Sequence, residues 1–302
     1  MAKRKNAKIT KKSLPVIIIV AIICLITGLL EKTDVISTPT ASTAETTDSI
    51  LTAHFLDVGQ GDCTLFISGE DTMLIDSGEK EYADTVLRDL ESYGVTELDY
   101  VVVTHAHSDH MGAMADILNT LPTETIIFSE PSEKSSGTKT YGEFLDAADK
   151  SDADIILAEP DYTFSFGNAE CRILAPFSVS EDEENNNSVV MLITAGSTSF
   201  LMTGDAEKSV EKEILKRYPD LTATILKAGH HGSRTSSHNK FVDSLDSEAA
   251  VISVGEDNNY GHPTQEVLDI LQKHNITCYR TDLDGTVTVE CYENNYTVST
   301  KR

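Results

Sequence analysis

Residues 98–110 read LDYVVVTHAHSDH, an apolar run that is followed at once by three histidines and an aspartate. The valine run at 101–103 predicts a buried strand. Four side chains that can bind a metal therefore fall on one loop at the end of that strand: His105, His107, Asp109 and His110. Neutral imidazoles with a carboxylate suit a borderline divalent ion such as Zn²⁺. The segment predicts a metal site rather than a surface loop with incidental histidines.

Strand-like and helix-like segments alternate around this loop. Strands are predicted at 54–58, 63–67, 72–76, 98–105 and 125–128, with further strands in the second half of the chain. Helical spacing of apolar residues predicts helices at about 83–90, 112–119, 141–149, 207–217 and 264–273. Two strand-rich halves with helices outside them favour an α/β domain of two packed sheets in four layers. We expect this domain to cover residues 51–302.

The first fifty residues have a different composition. Residues 1–13 are basic, residues 14–30 are apolar and uncharged, and residues 31–50 are rich in Thr, Ser and Ala. Basic residues before an apolar stretch predict a single membrane helix at 14–30, with the N-terminus in the cytoplasm and the domain outside the cell membrane. A cleaved signal peptide, which would make the protein secreted, is the alternative. Residues 31–50 are then a solvated linker.

The charge of the chain limits its partners. The formal net charge is −25 at pH 7, which weighs against tight binding to a phosphate backbone through Lys and Arg, although a local basic groove stays open. The chain also contains no nucleophile elbow, phosphate-binding loop or dinucleotide fingerprint. No motif of another catalytic chemistry therefore competes with the metal-dependent one.

The pattern HxHxDH after an apolar strand resembles the signature of the metallo-β-lactamase-like hydrolases. Other motifs occur in the same order in one branch, the hydrolase domain of ComEC-type competence DNA-uptake proteins and its stand-alone relatives. These motifs are HFLDVGQGD (54–62), LIDSG (74–78), NSVV (187–190), LMTGD (201–205), KAGHHGS (227–233) and GHPT (261–264). The resemblance covers about residues 51–292 and implies a four-layer αββα sandwich of two mixed sheets.

The resemblance also implies two divalent metal ions. His105 and His107 resemble ligands of the first ion, and Asp109 and His110 resemble ligands of the second. Asp205 resembles the carboxylate that bridges both ions, although an N-cap of the following helix is the alternative interpretation of this residue. One member of the pair at 230 and 231 would complete the second site.

We expect His230 to be that ligand and His231 to contact substrate, because adjacent side chains usually point in different directions. Many two-metal members carry a further histidine where this chain has Asn187 and Ser188. Asn187 is therefore a candidate substrate contact, and the first site has one imidazole fewer. Zn²⁺ is favoured as the metal, with Mn²⁺ as the alternative.

Residues farther from the metals complete the candidate site. Asp109 is expected to accept a proton from the attacking water as well as to bind metal. His262 resembles a catalytic histidine that steadies the leaving group, with an ordinary loop histidine as the alternative. Ser233 is a candidate contact for an anionic oxygen, with a plain turn as the alternative. Three aspartates could orient ligand imidazoles or simply form turns: Asp57, Asp62 and Asp76.

Paired divalent ions make hydroxide available from a shared water at neutral pH, so the set predicts hydrolysis. The resemblance implies a phosphodiesterase or nuclease outside the cell membrane, acting on an anionic phosphodiester such as single-stranded DNA in competence-type DNA processing. Within the same fold, the alternatives are an esterase for cell-wall phosphodiesters such as phosphorylcholine on teichoic acid, or a lactone hydrolase. An alternative of another class is a metal-binding regulatory module without turnover. The sequence identifies no protein partner.

Overall fold

The computed structural model describes residues 48–302. The predicted cytoplasmic segment 1–13, the predicted membrane helix 14–30 and all but the end of the predicted linker 31–50 lie outside the described residues. Across residues 48–302, no helix has both the length and the apolar character that a membrane crossing requires. The structure therefore bears on the predicted domain at 51–302 and not on the segments before it.

Strands alternate with helices along the described region. The strands are β1 (Leu51–Phe55), β2 (Thr64–Ser68), β3 (Asp71–Ile75), β4 (Leu98–Val103), β5 (Thr123–Phe128), β6 (Asp154–Leu157), β7 (Thr163–Phe166), β8 (Ala169–Ala175), β9 (Val190–Ala195), β10 (Thr198–Met202), β11 (Ile225–Lys227), β12 (Ala249–Ile252), β13 (Thr277–Arg280), β14 (Val287–Cys291) and β15 (Tyr296–Thr300). The α-helices are α1 (Ala83–Ser92), α2 (Ser108–Met111), α3 (Met114–Leu118), α4 (Glu133–Ser136), α5 (Lys139–Lys150), α6 (Lys208–Arg217), α7 (Asn239–Leu245), α8 (Gln265–Lys273) and α9 (Thr281–Asp284). Short 3₁₀ turns occur at Lys80–Tyr82, Glu184–Asn187 and Gly229–Gly232.

These strands form two mixed sheets. The first has the order β15-β14-β1-β2-β3-β4-β5-β6, and the second has the order β13-β12-β11-β10-β9-β8-β7. Strands β3 to β6 are parallel, as are β10 to β13, whereas the other neighbouring pairs are antiparallel. The prediction of two mixed sheets with helices is confirmed.

Three apolar layers hold the domain together. The middle layer joins the inner faces of the two sheets, where Phe66 of β2 meets Phe200 of β10 edge to face at 5.4 Å between ring centroids. A second layer packs α1, α3 and α5 on the outer face of the first sheet. A third packs α6, α7 and α8 on the outer face of the second sheet. Helices therefore cover both outer faces, which gives the four layers predicted from the sequence.

Element boundaries differ from the prediction at a few places. The first strand is 51–55 and not 54–58, because Leu51, Ala53 and Phe55 face the middle layer while the chain pairs with β14. The helix expected at about 112–119 is α3, at Met114–Leu118, and a separate short helix, α2, precedes it at Ser108–Met111. Strands β7 and β15 and helices α4, α7 and α9 were not predicted; β7, α4 and α9 have only four residues each, and β15 is mostly exposed.

The topology brings one end of each sheet to the same place. Parallel strands share their carboxyl ends, so the loops after β3 and β4 lie on one edge of the first sheet and the loops after β10, β11 and β12 lie on one edge of the second. The amide of Val189 donates to the carbonyl of Thr104 at 2.9 Å and ties the two edges together. The candidate site lies at this junction.

Candidate metal centre

The loop after β4 turns its histidines toward one point. His105 is buried and His107 is exposed, and Nε2 of His105 lies 3.0 Å from Nδ1 of His107. The chain then enters the short helix α2, which carries Asp109 and His110. His110 is fully buried, whereas Asp109 is partly exposed. Two imidazoles of the first predicted site therefore converge, with the residues of the second site one turn further along the chain.

Asp205 lies between the two groups. It is buried after β10, with Oδ1 3.2 Å from Nε2 of His110 and Oδ2 3.6 Å from Nε2 of His231. The same nitrogen of His231 lies 3.2 Å from Oδ2 of Asp109. Helix α6 begins only at Lys208 and its N-cap is Glu207, so the carboxylate of Asp205 faces the histidines rather than capping that helix.

Several buried atoms at this centre make no well-directed hydrogen bond. Nε2 of His110, Nε2 of His231 and Oδ1 of Asp205 each have a polar atom at 3.2 Å, but none of these contacts has the geometry of a hydrogen bond. Leaving such atoms unpaired costs free energy, which a metal ion would recover. Ligand atoms of His105, His110 and Asp205 lie within 4.8 Å of one another, as do those of Asp109, His110 and His231. Imidazole and carboxylate donors in this arrangement fit a borderline divalent ion.

The Nδ1 atom of each buried imidazole contacts a polar group on the side away from the centre. Nδ1 of His110 lies 2.8 Å from Oδ2 of Asp76, and Nδ1 of His231 lies 2.9 Å from the carbonyl of Ser253. Nδ1 of His105 lies 3.2 Å from the Thr104 hydroxyl. Such contacts fix the tautomer and orientation of metal-binding histidines. Each of these rings therefore presents Nε2 to the centre.

The three candidate aspartates have different surroundings. Asp76 contacts His110 and also accepts from the amide of Thr104 at 2.8 Å. Asp62 lies 3.3 Å from Nδ1 of His231. Asp57 contacts neither imidazole, because its carboxylate pairs with Arg302 at 2.9 Å. The expectation for Asp57 is therefore corrected: it joins a turn to the C-terminus, away from the site.

The buried histidines and aspartates of the centre shift one another's pKa values. Burial alone would lower the pKa of His231, but Asp205, Asp109 and Asp62 raise it to about 10. The pKa of His110 is likewise raised well above its usual value, against burial, by Asp205, Asp76 and Asp109. Burial opposes ionisation of Asp205, yet His110 and His231 hold the pKa of its carboxyl well below the usual range. The cluster therefore attracts positive charge strongly.

The pair at 230 and 231 differs from the sequence expectation. Both residues have left-handed backbones, with φ of 51° at His230 and 53° at His231. His231 is buried and is the member that lies with Asp109 and His110. His230 is 24% exposed, and its Nδ1 contacts the hydroxyl of Thr235 at 3.2 Å. Nε2 of His230 and Nε2 of His231 each lie 3.6 Å from Oδ2 of Asp205. The geometry groups His231, rather than the expected His230, with Asp109 and His110, and leaves His230 at the rim.

Asn187 does not reach the cleft. It is fully buried, its Oδ1 accepts from the amide of Ser180 at 2.6 Å, and its Nδ2 donates to Glu184 at 3.3 Å. The expected substrate contact is therefore wrong, because this amide holds its own loop. Ser188 instead occupies the place next to the centre, where its hydroxyl accepts from the amide of Asp205 at 3.0 Å.

Ser233 also stays out of the cleft. It is buried, and its hydroxyl lies 3.1 Å from the hydroxyl of Thr235 and accepts from the amide of Thr235 at 3.3 Å. The turn interpretation is therefore the one that the geometry supports. The expectation that Ser233 contacts an anionic oxygen is corrected.

A cleft of about 310 Å³ opens onto the centre. It is lined by Gln60, Glu79, His107, Ser108, Asp109, Asn185, Asp205, His230, His231, Tyr260 and His262. Burial, with His230 and His231, lowers the pKa of His262 to about 4, so its ring is neutral at physiological pH. Tyr260, Glu79 and Asn185 were not singled out from the sequence. Two of them adjoin motifs quoted from the sequence, since Glu79 directly follows LIDSG (74–78) and Tyr260 directly precedes GHPT (261–264).

Comparisons with known proteins match the region that carries the site. The profile of the metallo-beta-lactamase superfamily matches residues 56–256. ComE operon protein 3 of Bacillus subtilis (strain 168) is 30% identical over 256 residues, which cover 77% of this chain and 32% of that protein. Competence protein ComA of Neisseria gonorrhoeae is 30% identical over 231 residues, which cover 76% of this chain and 30% of that protein. The chain thus spans about a third of the length of these relatives.

One solved structure supports the fold. The crystal structure of CmlA, a diiron beta-hydroxylase from Streptomyces venezuelae, aligns with a TM-score of 0.54. The alignment covers 81% of this chain and 55% of that chain at 15% sequence identity. At this identity the likeness concerns the fold alone.

Proposed function

The chain belongs to the metallo-β-lactamase superfamily, and on that basis we propose that it is a metal-dependent phosphodiesterase that acts outside the cell membrane. The observation that carries the proposal is the convergence of unpartnered donor atoms from both sheets, namely Nε2 of His110, Nε2 of His231 and Oδ1 of Asp205. The resemblance to ComEC-type DNA-uptake proteins, and the 30% identity to ComE operon protein 3 and to competence protein ComA, support a phosphodiester as the bond that is cleaved. The order of basic and apolar residues in segment 1–30 supports the outward placement.

Two groups of residues would hold the metals. His105 and His107 would hold the first ion, and Asp109, His110 and His231 the second, with Asp205 shared between them. When bound, divalent ions supply hydroxide from water at neutral pH and neutralise charge on the attacked phosphorus. Ser188 stands where many relatives have a third imidazole, so we expect the first site to bind its metal more weakly. Zn²⁺ is the favoured metal, and Mn²⁺ is the alternative.

The remaining chemistry belongs to side chains of the cleft. Burial would raise the pKa of Asp109, but His110 and His231 hold it below its ordinary value, so this carboxylate is ionised. Because it lines the cleft, it can accept a hydrogen bond from the attacking water and receive its proton. His262 lies across the cleft with a neutral ring whose buried Nδ1 has no partner. This ring can hydrogen-bond a phosphate oxygen or the departing alkoxide.

Turnover of a generic phosphodiester tests the proposal. The full-length chain, purified in a mild detergent, is assayed with bis-p-nitrophenyl phosphate under added Zn²⁺ or Mn²⁺. We expect turnover that depends on metal and falls by about 100-fold or more in Asp109→Asn, because both a metal ligand and a proton acceptor are altered. Asp57→Asn is the matched control and should keep full activity, since Asp57 pairs with Arg302 away from the site.

Two outcomes would contradict the proposal. Bound metal without turnover of any phosphodiester would favour a metal-binding regulatory module. Equal losses in Asp109→Asn and Asp57→Asn would mean that turnover belongs elsewhere. For the location, a reporter fused after Arg302 should be active only outside the membrane, and activity inside would refute the outward placement.

A further inference from the structure

An exposed tyrosine stands at the mouth of the cleft. Tyr260 is 70% exposed, and its ring stacks on that of His262 with 5.8 Å between centroids and 23° between planes. His262 in turn meets the ring of His230 edge to face at 5.5 Å. Flat aromatic surface therefore leads from the solvent to the rim of the candidate metal centre.

The loop that carries this ring is held in place by Asn258. Its Nδ2 donates to the carbonyl of Gly255 at 3.0 Å and to that of His262 at 2.6 Å. Its Oδ1 accepts from the amides of Tyr260 and His262, each at 3.1 Å. The backbone is thus ordered while the tyrosine ring is left uncovered. Little conformational entropy remains to be lost when a ligand packs on that ring.

The charges of the cleft restrict what can bind there. None of the described residues that line it is Lys or Arg, whereas Glu79, Asp109 and Asp205 are acidic. Positive charge for the scissile phosphate must then come from the bound metals, and further binding energy must come from uncharged contacts. Stacking of a planar ring on an aromatic side chain is such a contact. The acidic residues also repel the phosphates of a second strand, which disfavours a duplex.

We propose that the Tyr260–His262 pair is a stacking platform for the nucleobase beside the scissile phosphodiester, so that the substrate is single-stranded nucleic acid. This inference rests on the proposed phosphodiesterase function. A ringless polyol phosphate gains nothing from such a platform. A cage for a quaternary ammonium group surrounds the cation with aromatic faces, whereas Tyr260 is the only aromatic residue other than histidine among the described cleft-lining residues.

The test compares a substrate with and without bases. The full-length chain in mild detergent, supplied with Mn²⁺, is mixed with a labelled single-stranded oligothymidylate or with the same strand carrying abasic sites. Binding is followed by stopped-flow anisotropy, and cleavage is measured afterwards. The variants are Tyr260→Ala, Tyr260→Phe, which keeps the ring, and Leu283→Ala, a control at a residue that is 61% exposed and does not line the cleft.

We expect Tyr260→Ala to weaken binding of oligothymidylate by about 5- to 150-fold, the range for one stacked base, and to leave the abasic strand unaffected. Tyr260→Phe and Leu283→Ala should both behave like the natural chain. The platform is overturned if Tyr260→Ala weakens binding of both strands equally, or weakens binding of neither. It is also overturned if the natural chain binds neither strand.

The same experiment distinguishes failure of the stacking platform from failure of the proposed phosphodiesterase function. Binding of oligothymidylate that needs Tyr260, without cleavage of any phosphodiester, would sustain the platform and contradict the phosphodiesterase. Cleavage of both strands at equal rates, unchanged in Tyr260→Ala, would sustain the phosphodiesterase and overturn the platform. Cleavage of a glycerol phosphate polymer in preference to either strand would also overturn it.

Discussion

The ammonium group of Lys227 lies 2.8 Å from Oδ2 of Asp62, and both side chains are buried. The other oxygen of Asp62 lies 3.3 Å from Nδ1 of His231. Burial would raise the pKa of Asp62, but Lys227 and His231 lower it to about 2, so the carboxylate is ionised. A line of buried charges therefore connects the core of the second sheet to the candidate metal centre.

Lys227→Met is expected to destabilise the protein by about 3–5 kcal/mol, because it leaves the buried carboxylate of Asp62 without its cation. Unfolding by guanidinium chloride measures the free energy. Lys208→Met is the control, since Lys208 is 40% exposed and lies 3.9 Å from Glu266, and it should cost less than about 1 kcal/mol. Equal stabilities of the two variants would refute a structural role for the buried pair.

Asp76→Asn is expected to weaken metal binding about 10- to 100-fold, because the charge that orients His110 is lost. Asparagine tolerates the positive φ of 59° at this position, so the backbone is preserved. Titration calorimetry with Zn²⁺ measures the affinity. Asp57→Asn should bind like the natural chain, and an unchanged affinity in Asp76→Asn would argue against this support of His110.

Metal affinity is expected to rise with pH through the neutral range. The pKa of His231 is raised to about 10, and that of His110 is raised well above its usual value, so both rings hold a proton more tightly than a free imidazole when no metal is bound. An imidazole must lose that proton to bind a metal, so binding releases protons and is favoured at higher pH. Calorimetry at pH 7 in two buffers of different ionisation enthalpy should give different apparent enthalpies. Identical enthalpies would contradict the proton release.

Gly61→Ala is expected to disturb the second metal site. A Cβ at this position would lie 2.4 Å from the carbonyl oxygen of Asp109, at a φ of +151°. Gly69→Ala is the matched control, because it also has a positive φ, of +67°, but a Cβ there meets nothing within 4 Å. We expect a loss of about 1 kcal/mol for the control from backbone strain, and a larger loss with weaker metal binding for Gly61→Ala.

Calorimetric titration with metal and an unfolding curve would be recorded for both glycine variants. If Gly61→Ala binds metal as tightly as Gly69→Ala, the close approach of residue 61 to the Asp109 loop does not matter for the site.

The architecture was predictable because each half of the chain repeats a strong periodic signal. The long apolar strand at 98–103 and the helices at 207–217 and 264–273 could be assigned from spacing alone. Short elements could not be predicted from the spacing of apolar residues, because they contain too few of them. Strand β7, for example, has only Phe164 and Phe166 as buried residues. The first strand was misplaced because both ends of the run 51–58 are apolar, and only pairing with β14 selects residues 51–55.

The site was predictable where chemistry and order along the chain agree, as at the histidine loop and Asp205. The site was not predictable where the backbone conformation determines which side chain faces the centre. Consecutive left-handed residues at 230 and 231 place His231 inside and His230 at the rim, and no residue type announces that geometry. Asp57 was misassigned because its partner, Arg302, is contributed by the far end of the chain. Lys227 went unnoticed because its partner Asp62 comes from the other sheet's loops.

The metal content of the purified full-length chain shows whether the cluster at the junction of the two sheets holds metal through His231. Inductively coupled plasma mass spectrometry measures it for the natural protein, His231→Asn and His230→Asn. Asparagine accepts the left-handed backbone at both positions, so the comparison isolates the imidazole. We expect His231→Asn to lose the metal of the second site and His230→Asn to retain it. Loss of metal in His230→Asn with full retention in His231→Asn, or a natural protein that binds no divalent metal, would rule out a metal centre that depends on His231.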